Sequence, residues 1–377
     1  MRTDGVDDPQ RHRCAKMRLS RSAAREPLAM SISLIGMDTA KSVFHLHGVD
    51  AQGKVLLKRK LKRDELIGFF EQQPRCTVVM EACGAAHHWA RVLRGLGHEV
   101  KLIASDAVKP FVKRGKKNDP ADAAAICVAA SRPEAKFVMA KSSEQQGVLA
   151  LHSVRSLLVK QETMLANAMR GLATEFGLVV PKGMGKLEEL VALVEEDQSF
   201  PEQASRAFAE LREHCRGTTE RIAALEKQIV AHARQHDVAR RLATIPGVGP
   251  ITASLITATV GDGIGNFRSA RHFAAWLGLV PRQHSSGGKT RLGKITKAGN
   301  GQIRTLLVLG ATSMVYRAAH WDSAAGKWVR GLLERHPVRH VTVALANKNA
   351  RIAWALMTRN EVYRAEGGAA PVATATA

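Results

Sequence analysis

The 377-residue chain is long enough to bury two or three cores, and its 45% hydrophobic content is that of a globular protein rather than a disordered one. Its 56 Lys+Arg against 34 Asp+Glu give a formal net charge of +22, which calls for a polyanionic partner, because neutralised phosphates release condensed counterions. An anionic membrane is excluded as that partner: there is no apolar run of about 18 residues and no lipidation motif.

Cys14, Cys76, Cys83, Cys127 and Cys215 are scattered and contain no CxxC pair. That pattern fits a reducing cytoplasm and gives neither a disulfide framework nor a zinc site. Cys76, Cys83, His87 and His88 have only a loose ligand spacing. Residues 1–29 are Arg-rich and lack the apolar segment of a signal peptide. They are expected to be a disordered arm, or to precede a translation start at Met30.

From there the pattern is regular. Residues 32–37, 43–49 and 54–61 read as an antiparallel meander, with Asp50-Ala51-Gln52-Gly53 turning the second strand into the third. A helix follows at about 63–72, a buried strand at 76–81, a helix at 86–96, a strand at 99–104 and an Ala-rich helix at 119–130. The order βββαβαβα is that of the RNase H-like fold, and residues 30–140 form the expected first domain.

Four acids fall at telling places on these elements. Asp38 ends the first strand, Glu81 ends the fourth, and Asp119 and Asp122 lie on one face at the start of a helix. Convergent carboxylates repel one another unless a cation lies between them. Two Mg2+ ions about 4 Å apart would satisfy them and clamp both the attacking and leaving oxygens of a phosphodiester, and Mn2+ would serve in their place. Lys116 and Lys117 precede Asp119 and are placed to meet phosphates. Taken singly, Asp119 is an N-cap followed by Pro120 at the first helical position, and Glu81 is a surface acid; it is the combination that points to a metal site. A sugar-kinase or actin-like ATPase also opens with a strand, an Asp and a hairpin, but it needs a second such lobe, which the rest of the chain does not supply.

Residues 141–240 are rich in helix formers. Phe208, Leu211, Cys215, Thr218, Ile222, Leu225 and Ile229 recur as a heptad seam, either packed within its own domain or acting as a coiled coil that makes a dimer. The stretch 179–187 breaks the helices as a loop. From 241 to 366 the chain is strongly basic: between Gly263 and Trp321 there is no Asp or Glu but nine Lys or Arg. Residues 242–253, LATIPGVGPITA, read as a helix–hairpin–helix in which Gly247 and Gly249 permit a tight turn and expose backbone N–H groups to a DNA phosphate; an ordinary helical hairpin is the other reading. Ser285-Ser286-Gly287-Gly288 follows, surrounded by Arg282, His284, Lys289, Arg291, Lys294 and Lys297. A serine so placed is either a nucleophile whose transition state the cations stabilise, or part of a phosphate-gripping loop. Residues 367–377 are a low-complexity tail, expected to be disordered.

These pieces resemble the Piv-like DEDD transposases of insertion-sequence family 110. The resemblance rests on IGMDTAKSVFHLHGVD (35–50), VVMEACG (78–84), KKNDPADAAAI (116–126), IPGVGPITA (245–253) and FAAWLGLVPRQHSSGGKTRLGKITKAGNGQIR (273–304), which cover both ends of the chain in the family's order. It implies a RuvC-like catalytic domain with Asp38, Glu81, Asp119 and Asp122 as the metal-binding DEDD set. It matches the middle only in being helical, where the heptad seam suggests a coiled coil, and it implies a mainly α C-terminal domain whose serine, directly before the glycine, is Ser286, with Ser285 its neighbour. The function implied is recombination between donor and target DNA through a covalent phosphoserine, guided by a structured RNA of the element and carried out by a dimer or tetramer. A junction resolvase that uses metal-activated water, and a non-catalytic nucleic-acid-binding protein, are the alternatives.

Overall fold

The computed structural model describes residues 31–112, 119–285, 287–364 and 370–371. Strands β1 (Leu34–Thr39), β2 (Val43–Val49) and β3 (Val55–Lys62) form the expected meander, followed by α1 (Glu65–Gln72), β4 (Thr77–Glu81), α2 (Ala86–Gly95), β5 (Glu99–Ile103), the short α3 (Ser105–Val108) and α4 (Asp119–Ala130). A sixth strand, β6 (Phe137–Val138), was not foreseen; it runs antiparallel to β5 and closes that edge. The sheet order is β3-β2-β1-β4-β5-β6, with β1 parallel to β4 and β4 parallel to β5. This is a mixed sheet with a mostly helical remainder, as expected of an RNase H-like transposase domain.

Strand alternation divides the sheet into two faces. Ile35, Met37, Phe44, Leu46, Leu61, Val78 and Met80 pack with Leu66, Phe70, Trp89 and Leu93 of α1 and α2. Val79 and Ile103 face the other way, onto Val108 of α3 and Ala125, Ile126 and Ala129 of α4. Asp38, His45 and Glu81 are odd-numbered steps from the first set, so they share the α4 face. Helix α4 comes so close to β1 that only glycine fits at position 36: an added Cβ would collide with the Ala123 carbonyl oxygen. The Cys127 sulfur fastens the contact, accepting from the Gly36 N–H at 3.0 Å and donating to the His47 carbonyl at 3.0 Å.

The middle of the chain is a long helical hairpin, α5 (Ser143–Thr174) and α7 (Glu202–Gln235), with α6 (Leu187–Glu196) beside it. Ser142 opens α5 with a reciprocal capping box to Gln145. The stretch 179–187 ends in a single 3-10 turn, Met184–Lys186. Of the predicted seam, Phe208, Cys215, Thr218, Ile222 and Ile229 are buried within one chain, and Arg155 of α5 binds Glu226 of α7. The seam therefore packs inside its own chain.

The C-terminal part comprises α8 (Asp237–Leu242), α9 (Pro250–Val260), α10 (Ala270–Trp276), β7 (Pro281–Gln283), β8 (Leu292–Ile295), α11 (Gly301–Tyr316), α12 (Ala324–Leu333), α13 (Val338–Arg359) and the short strands β9 (Glu361–Val362) and β10 (Ala370–Pro371). Its core joins Leu242, Ile256, Phe273, Leu307, Val341 and Leu345. Helix α5 is pinned to this core by buried His152, whose Nε2 lies 3.0 Å from Ser254 Oγ and whose carbonyl accepts from Gln302 at 2.9 Å. Just before α5, the Lys141 carbonyl accepts from Arg91 of α2 at 2.7 Å.

Candidate active site

Asp38 reaches the α4 face as the fifth residue of β1, and Asp119 and Asp122 reach it from the first turn of α4. One carboxylate oxygen from each lies within 4.8 Å of the others. Burial raises the Asp38 carboxyl above its usual pKa, and the negative charges of Asp122 and Asp119 raise it further; His45 and the Thr39 N–H act in the opposite direction. Three like-charged groups gathered at a half-buried point need a counter-charge.

Two further observations fit a cation. Asp122 Oδ1 is buried and has no hydrogen-bond partner among the described residues. The same is true of His45 Nδ1, which stands 3.7 Å from Asp119 Oδ2, too far for a hydrogen bond. The donor set, three carboxylates with an imidazole beside them, suits a hard or borderline divalent ion.

Glu81 sits where the sequence predicts, at the end of β4, one rung beyond the Met37–Met80 pair and so beside Asp38. Its carboxylate is nevertheless outside the group of three, because Ser105 Oγ at the start of α3 donates to Glu81 Oε1. The sequence reading missed both Ser105 and His45. The signal for His45 was present: in VFHLHGV the apolar Phe44 and Leu46 alternate with His45 and His47, and the hairpin register sets His45 opposite Asp38. The loosely spaced Cys/His set does not assemble, since Cys76 pairs with His98, Cys83 with Thr39 and His87 with Lys141.

Lys116, Lys117 and Ser286 lie outside the described residues. The loop that carries the serine segment is held by a β-hairpin: β7 and β8 pair antiparallel, with residues 284–291 between them in the chain. Ser285, Gly287, Gly288, Lys289 and Arg291 are exposed. The stem is well held. Lys297 N–H donates to the Gly278 carbonyl at 3.1 Å, Thr296 N–H to Val280 at 2.9 Å, and Arg304 to the carbonyls of Leu277 and Ala298 at 2.9 and 2.7 Å. Arg282 donates across the hairpin to Thr296. Lys289, Arg291, Lys294 and Lys297 are exposed, and none forms an ion pair among the described residues.

Residues 243–249 join α8 to α9, so helices flank the Gly247-Val248-Gly249 turn. Gly247 has φ +84° and lies against the backbone of Gly310 in α11. The turn is further held by Asn349, which donates to the Pro246 carbonyl at 2.9 Å. Gly249 is exposed at the start of α9.

With this geometry in place, the comparisons are consistent with one another. Residues 35–177 match the DEDD transposase profile of the IS110 type, and residues 239–326 match the Transposase IS116/IS110/IS902 family. The chain is 50% identical over 340 residues to a "Probable family 20 transposase" of Pseudomonas aeruginosa, covering 89% of this chain and 99% of that one. It is 41% identical over 349 residues to the transposase for insertion sequence element IS1111A of Coxiella burnetii, covering 92% and 95%. The pilin gene-inverting protein of Moraxella lacunata is 29% identical over 124 residues, or 32% of this chain and 37% of its own. The mixed sheet with its mostly helical remainder is consistent with a DEDD-type transposase. The chain belongs to the IS110/IS116/IS902 family of insertion-sequence transposases, in which the DEDD domain implies divalent-metal dependence and the activity implies DNA as partner. Among the described residues no helix is long and apolar enough to cross a membrane.

Proposed function

We propose that Asp38, Asp119 and Asp122, joined by Glu81, hold divalent cations, two Mg2+ or Mn2+ ions, and that Ser286 is the nucleophile of strand exchange. The observation that carries the metal reading is the convergence of three carboxylates around a raised Asp38, beside two buried polar atoms without partners. When bound, the ions would stabilise the charge that builds up on the phosphodiester oxygens. The protein's own part is to fix the ligands: β1 and α4 set the aspartates, Cys127 locks α4 to β1, and Ser105 holds Glu81 in reserve. Residues 30–140 act as the catalytic domain, 141–240 as the helical linker and 241–366 as the nucleic-acid-gripping domain.

In this reading Ser286 Oγ bonds to phosphorus as the bond from phosphorus to a deoxyribose oxygen breaks. The hydroxyl proton departs, and the freed sugar carries a hydroxyl. The phosphoserine keeps the ester for transfer to a second strand end, so no outside energy source is needed. Arg282, Lys289, Arg291, Lys294 and Lys297 hold phosphates around the hairpin. Lys117 does so beside the acids, and the Gly247–Gly249 turn grips the duplex as a helix–hairpin–helix. Carboxylates and serine lie on separate units, so the reading calls for a composite site formed within one chain or between subunits of a dimer or tetramer. The exposed cations also suit a structured guide RNA of the element that pairs with donor and target DNA.

The test is recombination between donor and target DNA with the RNA of the element present. Asp38→Ala and Ser286→Ala are each expected to abolish exchange while DNA and RNA binding persist. Exchange by either variant at the wild-type rate would refute the role given to that residue.

A further inference from the structure

Register across the sheet extends the acid face from β1 through β2 to the outer strand β3. Asp38 on β1 is opposite His45 on β2, and His45 is opposite Lys60 on β3. On the neighbouring rungs His47 is opposite Lys58, and Val43 is opposite Lys62. Leu61 is buried in the α1–α2 core, Leu57 packs against it, and the Arg59 guanidinium lies over Phe69 of α1. By alternation Lys58, Lys60 and Lys62 therefore project from the opposite face, the one that carries the acids. Helix α4 rests on β1, β2 and β4, and beside it the three lysines remain exposed. None of them forms an ion pair among the described residues.

The spacing suits a polyphosphate chain. Alternate residues of a strand are about 6.8 Å apart, and two strand spacings put the Lys60 Cα about 10 Å from that of Asp38. A lysine stem covers much of that gap. The file of lysines runs past the acids rather than ending at them: Lys60 is level with Asp38, and Lys58 and Lys62 lie to either side of that rung. Three ammonium groups without an ion pair among the described residues are thus placed for the phosphates that flank the one being cut.

We propose that Lys58, Lys60 and Lys62 form a phosphate rail on the outer strand of the sheet that holds the DNA strand to be cut alongside the Asp38–Asp119–Asp122 site. The proposal rests on the metal-site reading above. Lysines on an edge strand also discourage pairing with another sheet, but that role does not need them on the acid face or in register with Asp38.

The test uses the full-length protein. Binding of a fluorescent mixed-sequence DNA single strand would be followed by anisotropy between about 50 and 200 mM salt with Ca2+ present. In Lys58→Gln/Lys60→Gln/Lys62→Gln the log–log salt slope should become shallower by about 2, from roughly 0.7 per lost cation. The triple Lys→Arg variant should restore the slope. Crosslinking from Lys60→p-benzoylphenylalanine should label the cleaved DNA strand close to the cut. An unchanged slope in a triple variant that melts like the wild type, light-scattering growth as the only change, or crosslinks to the element RNA instead of DNA would each overturn the rail. Failure of the rail is separable from failure of the metal site: Asp38→Asn should still abolish cutting when the lysine triple has no effect, whereas cutting by Asp38→Asn would remove the metal reading whatever the lysines do.

Discussion

The acid pocket and the serine hairpin are built in opposite ways. The pocket is assembled from the inside: its ligands grow from a strand and a helix that touch so closely that a glycine and a cysteine sulfur form the contact. Among the described residues the hairpin is anchored at its stem, by Gly278, Val280 and Arg304, and Ser285, Gly287, Gly288 and Lys289 are exposed. The difference follows from the chemistry asked of each. On the proposed reading, cations need ligands fixed within a fraction of an ångström, and the close β1–α4 contact fixes them although Asp119 itself is exposed. A nucleophile that must meet a phosphodiester held by another unit belongs on an arm.

Single charges should therefore weigh very differently in the two regions. Asp122→Asn is expected to lower metal-dependent strand cutting by more than about 100-fold, since even the partners of metal ligands are worth 10–100-fold. Lys294→Gln on the hairpin should lower DNA affinity evenly across sequences and reduce the salt slope by about 1. Rates from a labelled-DNA nicking assay, set beside anisotropy titrations, compare the two; equal effects would erase the contrast between pocket and arm.

The next effect concerns packing. Gly36→Ala forces α4 away from β1, at a cost of about 1–3 kcal/mol from overpacking, and moves Asp119 and Asp122 relative to Asp38. A lower melting temperature together with weaker Mn2+ binding by calorimetry is the expected pair of results. A lower melting temperature with unchanged Mn2+ affinity would mean that α4 does not set the ligand geometry.

The Asp38 carboxyl gives the pocket a pH signature. Its folded pKa is raised, chiefly by burial and then by Asp122 and Asp119. The folded state thus holds a proton that the unfolded state has released, and without a cation stability falls as pH rises from the usual 3.8 through the raised value. A divalent ion should offset this, by about 2.7 kcal/mol at one hundred times its Kd. Melting curves against pH, in EDTA and in Mn2+, should diverge as pH rises and coincide in Asp38→Asn.

The smallest effect lies at the α5–α9 junction. Burial, with Arg155 and His232 nearby, pushes His152 down to about 4. Between its usual 6.5 and that value the unfolded chain takes up a proton that the folded chain does not, so stability falls as pH falls through this window. His152→Gln should cost about 1 kcal/mol at neutral pH and flatten the acid limb of the melting profile. An unchanged acid limb would place the sensitive group elsewhere.

Much of this was legible in the chain itself. The apolar run ISLIGM, the strand pattern VFHLHGV, the turn at Asp50–Gly53 and the Asp-Pro-Ala-Asp start of α4 specified the first elements, their order along the chain and the placing of Asp38, Asp119 and Asp122 on them. The rest depended on contacts that no local pattern encodes. β6 is two residues long and exists only because β5 offers a free edge. Ser105 holds Glu81 across a distance in sequence that no motif spans. The β7–β8 hairpin is polar, and its strands are too short to show alternation, so it read as loop. The seam on α7 was visible, but its partner α5 was not, because a heptad does not say which helix it will meet.

The central claim is that strand exchange passes through a serine ester made at a metal-dependent site. Full-length protein would be incubated with Mg2+, the RNA encoded by the element and end-labelled donor and target DNA, then denatured and digested for mass spectrometry. A DNA-linked peptide modified at Ser286 is expected, present in Ser285→Ala and absent from Ser286→Ala and Asp38→Ala. Nicked DNA that depends on Asp38 but carries no protein would contradict it and show instead an enzyme that cuts with water, with Ser286 no more than a phosphate contact.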